Sequence, residues 1–249
     1  MSLPYSVIAE CYDSLNSHVD YKGWAEGLSR ILRSYGVKEG DLVLDLACGT
    51  GSVTLPLAEL GYDMIGVDMS YEMLGVAMEK KAASPILWLC QDMRAFELYG
   101  TVAATVCCLD SINYLTGKVG LGKCFSLVHN YLDPDGIFIF DVNTPHKFDT
   151  VYSDRHYVLE GDGVTCAWKN FYDKKSGLCD FELSFFYEQE DGSYIRRDET
   201  QRERCWSIKT LSSLLVKNGF EVLSISSDLN GSPLTDDSER AFFICRAKK

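Results

Sequence analysis

The stretch from Val43 to Ser52, Val-Leu-Asp-Leu-Ala-Cys-Gly-Thr-Gly-Ser, runs an apolar strand straight into a glycine-rich turn, which is the architecture of a nucleotide-type pocket. Gly49 and Gly51 can take backbone angles closed to other residues and let a ligand approach the main chain. A helix starting near Ser52 would turn its free N–H groups toward anything anionic. A second strand, Met64 to Asp68, ends in an acid nineteen residues after Gly49, where it can accept hydrogen bonds from a ribose diol.

The segments around this junction alternate as an α/β domain does. Asp20 to Tyr35 reads as an opening helix stopped by Gly36. Strands follow at Leu42 to Leu46, Met64 to Val67, Ile86 to Cys90, Val102 to Leu109 and Gly136 to Val142, the last after a turn at Asp133 to Gly136. A helix from Ser52 to Leu60 follows the first strand, and Ser70 caps the next helix. These strands are near-continuous apolar runs, as strands buried on both faces are. After Pro145 the texture changes to alternating segments, Val164 to Tyr172, Cys179 to Glu190 and Tyr194 to Arg204, with Asp191-Gly192 as a hairpin turn. Phe181, Leu183, Phe185 and Tyr187 share one face there, to be buried against the domain or a second subunit. A helix at Ser207 to Lys217 and strands at Phe220 to Ile225 and Arg240 to Arg246 complete the first sheet. The expected fold is α/β: a Rossmann-like, seven-stranded, mostly parallel sheet with helices on both faces, plus an inserted antiparallel β meander. Its divisions are an N-terminal segment and helix at 1–36, the α/β domain at 37–145 and 206–249, and the insertion at 146–205.

Charge and cysteine usage narrow the function. With 24 basic against 36 acidic residues the net charge is -12, which repels a phosphate backbone, so neither nucleic acid nor a membrane surface is an expected partner. None of the 10 cysteines forms a Cys-x-x-Cys pair, and several lie in apolar strands. Buried, reduced thiols in a cytoplasmic protein are therefore expected, without a disulfide frame or metal site. There is no apolar run of membrane-spanning length.

Details of the glycine turn choose between two cofactor plans. A dinucleotide fingerprint places Gly or Ala three residues past the second glycine, and here that position is Thr54. It needs no acid within the first strand, yet Asp45 stands four residues before Gly49. Asp45-Leu-Ala-Cys-Gly-Thr-Gly51 resembles the first motif of the class I S-adenosylmethionine-dependent methyltransferases, and the resemblance spans roughly Val37 to Asn143 plus Ser207 onward. It implies S-adenosylmethionine as cofactor, with Ala47, Gly49 and Gly51 around its methionine part and Asp68 on the ribose. It also implies Asp92 on the adenine amino group, Met69 and Met93 over the ring, and Leu109, Asp110, Asn113 and Tyr114 beside the sulfonium and the acceptor. The segment Tyr5-x-x-x-Ala-x-x-Tyr12-Asp13, with Tyr21 and Trp24, looks like the lid of bacterial small-molecule methyltransferases, so Tyr12 and Tyr21 are expected at the cofactor. The meander resembles the extra sheet of sugar N-methyltransferases.

Each residue also has a plainer reading. Asp45 can buttress the turn without touching a ligand, the role the sequence favours. The two methionines can be core filler, and Asn113 and Tyr114 can cap or pack. His146 is a candidate general base beside Asp110, although an ordinary loop histidine is favoured. In the insertion, Glu199 and Arg202 are candidate acceptor contacts, or part of a solvated, salt-bridged strand with Arg204. The expected activity is methyl transfer to an O or N atom of a small molecule, with a homodimer through the insertion as one assembly. The alternatives are an NAD-dependent oxidoreductase and a non-catalytic, cofactor-binding regulatory protein.

Overall fold

In a computed structural model, which describes residues 7–249, the alternating segments form two sheets. Tyr5 of the lid motif lies outside the described residues. The N-terminal part holds α1 (Tyr12–Leu15) and α2 (Tyr21–Ser34), the latter capped by Asp20, whose Oδ1 accepts the Gly23 N–H at 2.9 Å. Then come β1 (Leu42–Leu46), α3 (Thr54–Glu59), β2 (Asp63–Asp68), α4 (Tyr71–Glu79), β3 (Leu87–Cys90) and β4 (Val102–Cys107). Next are α5 (Lys118–Tyr131), β5 (Leu132–Asn143) and the short α6 (Pro145–Lys147), which runs into a π-helical turn at Phe148–Tyr152. The insertion supplies β6 (His156–Gly161), β7 (Val164–Asp173), β8 (Leu178–Glu188) and β9 (Tyr194–Arg204). The chain closes with α7 (Ile208–Lys217), β10 (Phe220–Ser226) and β11 (Arg240–Ala247).

The larger sheet has the order β10-β11-β5-β4-β1-β2-β3, parallel from β5 to β3 and antiparallel where β11 enters. β1 sits beside both β2 and β4, so the chain's direction across the sheet reverses there, and the carboxyl ends of β1 and β4 border a crevice. One face of the sheet is covered by Leu28 and Leu32 of α2 with Leu57 of α3. The other is covered by Phe125 and Val128 of α5 with Leu211 and Leu215 of α7.

Several local expectations change. The helix after β1 begins only at Thr54, because Gly51 to Val53 are consumed by the turn that closes with the Leu55 N–H on the Gly51 carbonyl at 2.9 Å. β4 stops at Cys107, since Leu109 and Asp110 adopt left-handed φ values of 57° and 56°. β3 is an edge strand, with Leu87 half exposed, not one buried on both faces. The turn from Asp133 to Gly136 lies inside β5 as a bulge: Val102 pairs with Leu132 and Ala104 with Ile137. Helix α5 has no counterpart in the sequence reading, because Gly120 and Gly122 interrupt the periodicity of Leu121, Cys124, Phe125 and Val128. The meander has four strands where three were expected. Its β6 was missed because it is a short edge strand without buried residues.

The apolar face of the meander is used within the protomer. Leu183 and Phe185 pack on Ile8, Ala9 and Leu15 of the lid and on Met73 of α4, while Phe181 packs on Phe148 and Tyr152. Of the two expected burial partners for this face, the one seen is the protein's own chain.

All 10 cysteines stand unpaired, eight of them buried. No helix among the described residues is long and apolar enough to cross a membrane.

Candidate active site

A cavity of about 450 Å³ opens at the carboxyl ends of β1 to β4. Asp45, Ala47, Gly49, Asp68, Met69, Asp92, Met93 and Leu109 line it, and Tyr12 and Tyr21 close it from the lid. Gly51 is the one expected cofactor residue outside the lining. It turns the chain with φ 73° and packs against Trp88, where an added Cβ would stand 2.7 Å from Cη2. At Gly49 an added Cβ would meet nothing within 4 Å, so the main chain there faces open space. Five described non-glycine residues have positive φ; of these, Ala47, Leu109 and Asp110 flank this crevice, at a cost of about 1–3 kcal/mol each.

Asp45 buttresses the turn, as its plainer reading held. It is 2% exposed, and Thr54 Oγ1 donates to its Oδ2 at 2.6 Å. The residue that departs from the dinucleotide fingerprint is thus the acid's partner. Burial pushes the Asp45 carboxyl up to about 7 from 3.8. The native state therefore takes up a proton on folding, and the associated stability, full below the unfolded value, is lost as pH rises through about 7. Asp45→Asn escapes this loss. Its stability relative to wild type should rise by about 1 kcal/mol from pH 5 to pH 6 in urea titrations. A pH-independent difference between the two proteins would contradict the buried carboxyl.

Asp68 is braced before any ligand arrives. The Gly49 N–H donates to Oδ2 and the Ser70 N–H to Oδ1, both at 2.8 Å, and the Met69 backbone also favours the charged form, yet a carboxylate accepts about four hydrogen bonds and so keeps room for a ligand. Burial raises its pKa against these bonds. Asp92 is held differently. The Arg94 backbone donates to Oδ1 at 2.8 Å and its Nε at 2.9 Å, and this side-chain bond keeps the carboxyl below its ordinary range. An adenine amino group would share Asp92 with Arg94, a partner the sequence reading did not include.

The lid is latched onto the glycine turn. Thr50 Oγ1 and Ser52 Oγ donate to Asp13 Oδ1 at 2.7 and 3.0 Å. Lys80 Nζ pairs with Asp13 Oδ2 at 2.5 Å and donates to the Thr50 carbonyl at 2.8 Å. Lys80 and Asp13 are far apart in sequence, so no local pattern announces this contact.

A second cavity of about 360 Å³ adjoins the first, and both are lined by Tyr12, Tyr21, Leu109, Tyr114 and Gln201. At this junction the Tyr114 hydroxyl donates to Gln201 Oε1 at 2.8 Å. The insertion contributes Tyr157, Trp168, Phe181 and Glu203 to the second cavity, and α6 contributes Lys147. Glu203 and Lys147 escaped sequence reasoning. Period-two alternation groups Glu199, Gln201 and Glu203 on one face, but it does not say which of them meets a cavity.

Five acceptor-side expectations need correction. Asp110 lines the second cavity, but Arg240 Nη2 pairs with it at 2.9 Å. Burial works to raise its pKa, yet Arg240 and Lys147 outweigh it and hold the carboxyl low, which makes Asp110 a weak base. Asn113 is fully buried and lines neither cavity; its Nδ2 donates to the Arg204 carbonyl at 2.9 Å and its Oδ1 accepts the Asn143 N–H at 3.0 Å. It ties β5 to β9. His146 also lines neither cavity, its ring facing Asp237 at 3.9 Å while the next residue, Lys147, reaches inward. Glu199 stands behind the site, its oxygens accepting the Val7 N–H at 3.2 Å and Gln201 Nε2 at 2.7 Å. Arg202 borders the first cavity, but its guanidinium pairs across the strands with Asp180, Nη2 to Oδ2 at 2.8 Å.

Comparison with known proteins agrees with this geometry. A methyltransferase-domain family profile matches residues 43–136. YqeM of Bacillus subtilis (strain 168), whose methyltransferase assignment is itself provisional, is 34% identical over 247 residues, 98% of each chain. A dTDP-3-amino-3,6-dideoxy-alpha-D-glucopyranose N,N-dimethyltransferase of Streptomyces fradiae is 30% identical over 200 residues, 78% of this chain and 76% of that one. The crystal structure of a S-adenosylmethionine-dependent methyltransferase from Clostridium acetobutylicum ATCC 824 superposes with a TM-score of 0.86 at 28% identity, covering 98% of this chain and 99% of that one. These relatives lend no support to the oxidoreductase or the regulatory alternative.

Proposed function

The chain belongs to the class I S-adenosylmethionine-dependent methyltransferases, and we propose that its larger cavity holds the cofactor while the smaller one holds a small-molecule acceptor. The observation that carries this reading is the junction: two cavities of ligand size share Tyr12, Tyr21, Leu109, Tyr114 and Gln201. S-adenosylmethionine supplies, when bound, a methyl group on a sulfonium that is an excellent leaving group. The open backbone at Gly49 and the free acceptor sites of Asp68 suit its methionine and ribose parts.

The chain's own work is then mainly alignment. Asp68 anchors the ribose, and Met69 and Met93 pack on the adenine. The lid, latched through Asp13, keeps out water, and Tyr114 and Leu109 set the line of approach. Such positioning can contribute roughly 7–11 kcal/mol. With His146 turned away and Asp110 held ionised, an amine that has already lost its proton is the acceptor the site serves most simply. The acidic surface argues against nucleic acid and membranes as partners, and eight buried, unpaired thiols suit the reducing cytoplasm.

Asp68→Ala should weaken S-adenosylhomocysteine, the demethylated product, tenfold to a hundredfold by calorimetry, since a hydrogen bond to a charged group is worth about 1.5–3 kcal/mol. Unchanged affinity in a folded variant would remove Asp68 from the ribose. Incubation with methyl-labelled cofactor and fractionated metabolites tests turnover and reports the acceptor; no labelled small molecule from any fraction would count against the reading of the second cavity.

A further inference from the structure

The second cavity has aromatic walls and an unbalanced charge. Tyr152, Tyr157, Trp168 and Phe181 line one side and Tyr12 and Tyr21 the other. Glu203, 1% exposed, accepts Asn143 Nδ2 on Oε2 at 3.1 Å, while its Oε1 has no hydrogen-bond partner among the described residues. Asp110, Asp141 and Glu203 lie in one cluster with two cations, Arg240 and Lys147. Arg240 is engaged by both aspartates. Lys147 Nζ donates to Asn143 Oδ1 at 2.9 Å and lies 5.2 Å from the centre of the Tyr152 ring, with no carboxylate at ion-pair distance among the described residues. Three carboxyls thus face two cations, and an uncompensated charge in such a place is costly. Burial and the nearby Asp110 push the Glu203 carboxyl well up, the mark of a carboxylate that lacks a cation of its own.

We propose that the acceptor carries a basic amine that docks on Glu203 while a flat ring lies among the aromatic side chains; this deepens the methyltransferase reading and rests on it. An ammonium group supplies the missing charge, the free Oε1 takes its hydrogen bond, and the neighbouring rings attract a cation. Trp168 Nε1, buried without a partner, offers a further hydrogen bond to an oxygen of the ligand. The pleat of β9 sets the spacing. Glu203 and Gln201 are two residues apart on one face, a rise of roughly 7 Å, and Gln201 holds Tyr114 at the junction. The amine that anchors is therefore not the atom that is methylated. The nucleophile lies about one six-membered ring away.

Three probes with a common phenethyl skeleton test this on the full chain saturated with S-adenosylhomocysteine: phenethylamine, the neutral 2-phenylethanol and the anionic phenylacetate, titrated by ligand-observed NMR. The amine should bind at least tenfold tighter than the alcohol, and phenylacetate should not bind. Glu203→Gln should lower amine affinity about tenfold and leave the alcohol and S-adenosylhomocysteine unaffected. Phenylacetate binding as well as the amine would make Lys147 the anchor and overturn the proposal. So would failure of all three probes to bind, or unchanged amine affinity in Glu203→Gln. The order of affinities in the wild type decides the matter even if the variant misfolds. Failure to bind S-adenosylhomocysteine is read separately and counts against the cofactor assignment.

Discussion

Replacing Gly51 by valine should abolish cofactor binding and lower the stability of the protein by roughly 2–6 kcal/mol, the sum of two independent penalties. A β-branched residue at φ 73° is strained by about 1–3 kcal/mol. Its Cβ would also stand 2.7 Å from Trp88 Cη2 and 3.3 Å from the Ala77 Cβ, and forcing extra methyl groups into a packed site costs a further 1–3 kcal/mol or so. Trp88 has little room to move, because the same ring packs over Gly66, where an added Cβ would lie 2.3 Å from it. Relief must come from the glycine turn itself, which carries Gly49 away from Asp68. Urea denaturation and titration with S-adenosylhomocysteine measure the two effects. A stable variant that still bound the product would show that the turn has slack the packing around Gly51 does not suggest.

Arg240→Met should cost about 3–5 kcal/mol, the usual consequence of removing one partner from a buried ionic group. Asp141, 1% exposed, accepts the Leu109 N–H at 2.7 Å and the Asp110 N–H at 2.9 Å, and so holds the two left-handed residues that end β4. Arg240 pairs with both carboxylates, and its guanidinium also lies 5.5 Å from the Trp24 ring. Without it two carboxylates face each other unpaired. Asp141, which burial already raises, then rises further and Asp110 rises with it, so the variant's stability is retained at low pH and lost as pH rises. In the wild type Asp110, unlike Asp141, is held low and contributes stability that disappears as pH falls through its folded value. The deficit of Arg240→Met should accordingly shrink toward pH 4, and adding Asp110→Asn and Asp141→Asn should recover much of it. A deficit of the same size at every pH would mean that methionine is tolerated or rejected on packing grounds alone.

What could be read from the linear chain was whatever depends on neighbours in sequence. An apolar strand running into Gly49 and Gly51, an acid ending the next strand, Ser70 as a helix cap and the helix up to Lys217 are local patterns, and each formed where it was expected. Eight of the eleven expected cofactor residues meet in one cavity for the same reason: the carboxyl ends of parallel strands converge wherever the crossovers are regular, and Tyr12 and Tyr21 join them from the N-terminal helices. The acceptor side depends on which faces meet. Alternation placed Glu199 and Glu203 on one face of β9, but only docking of the meander against the lid and α6 put Glu203 at a cavity and sent Glu199 to the Val7 backbone. His146 and Lys147 differ by one position, about 100° around a helix, and tertiary packing alone turned the lysine inward and the histidine to Asp237. Pairings such as Arg240 with Asp110 join residues 130 positions apart, so no local signal announces them. They arise because an acid buried by the fold must find a cation wherever the sheet brings one alongside.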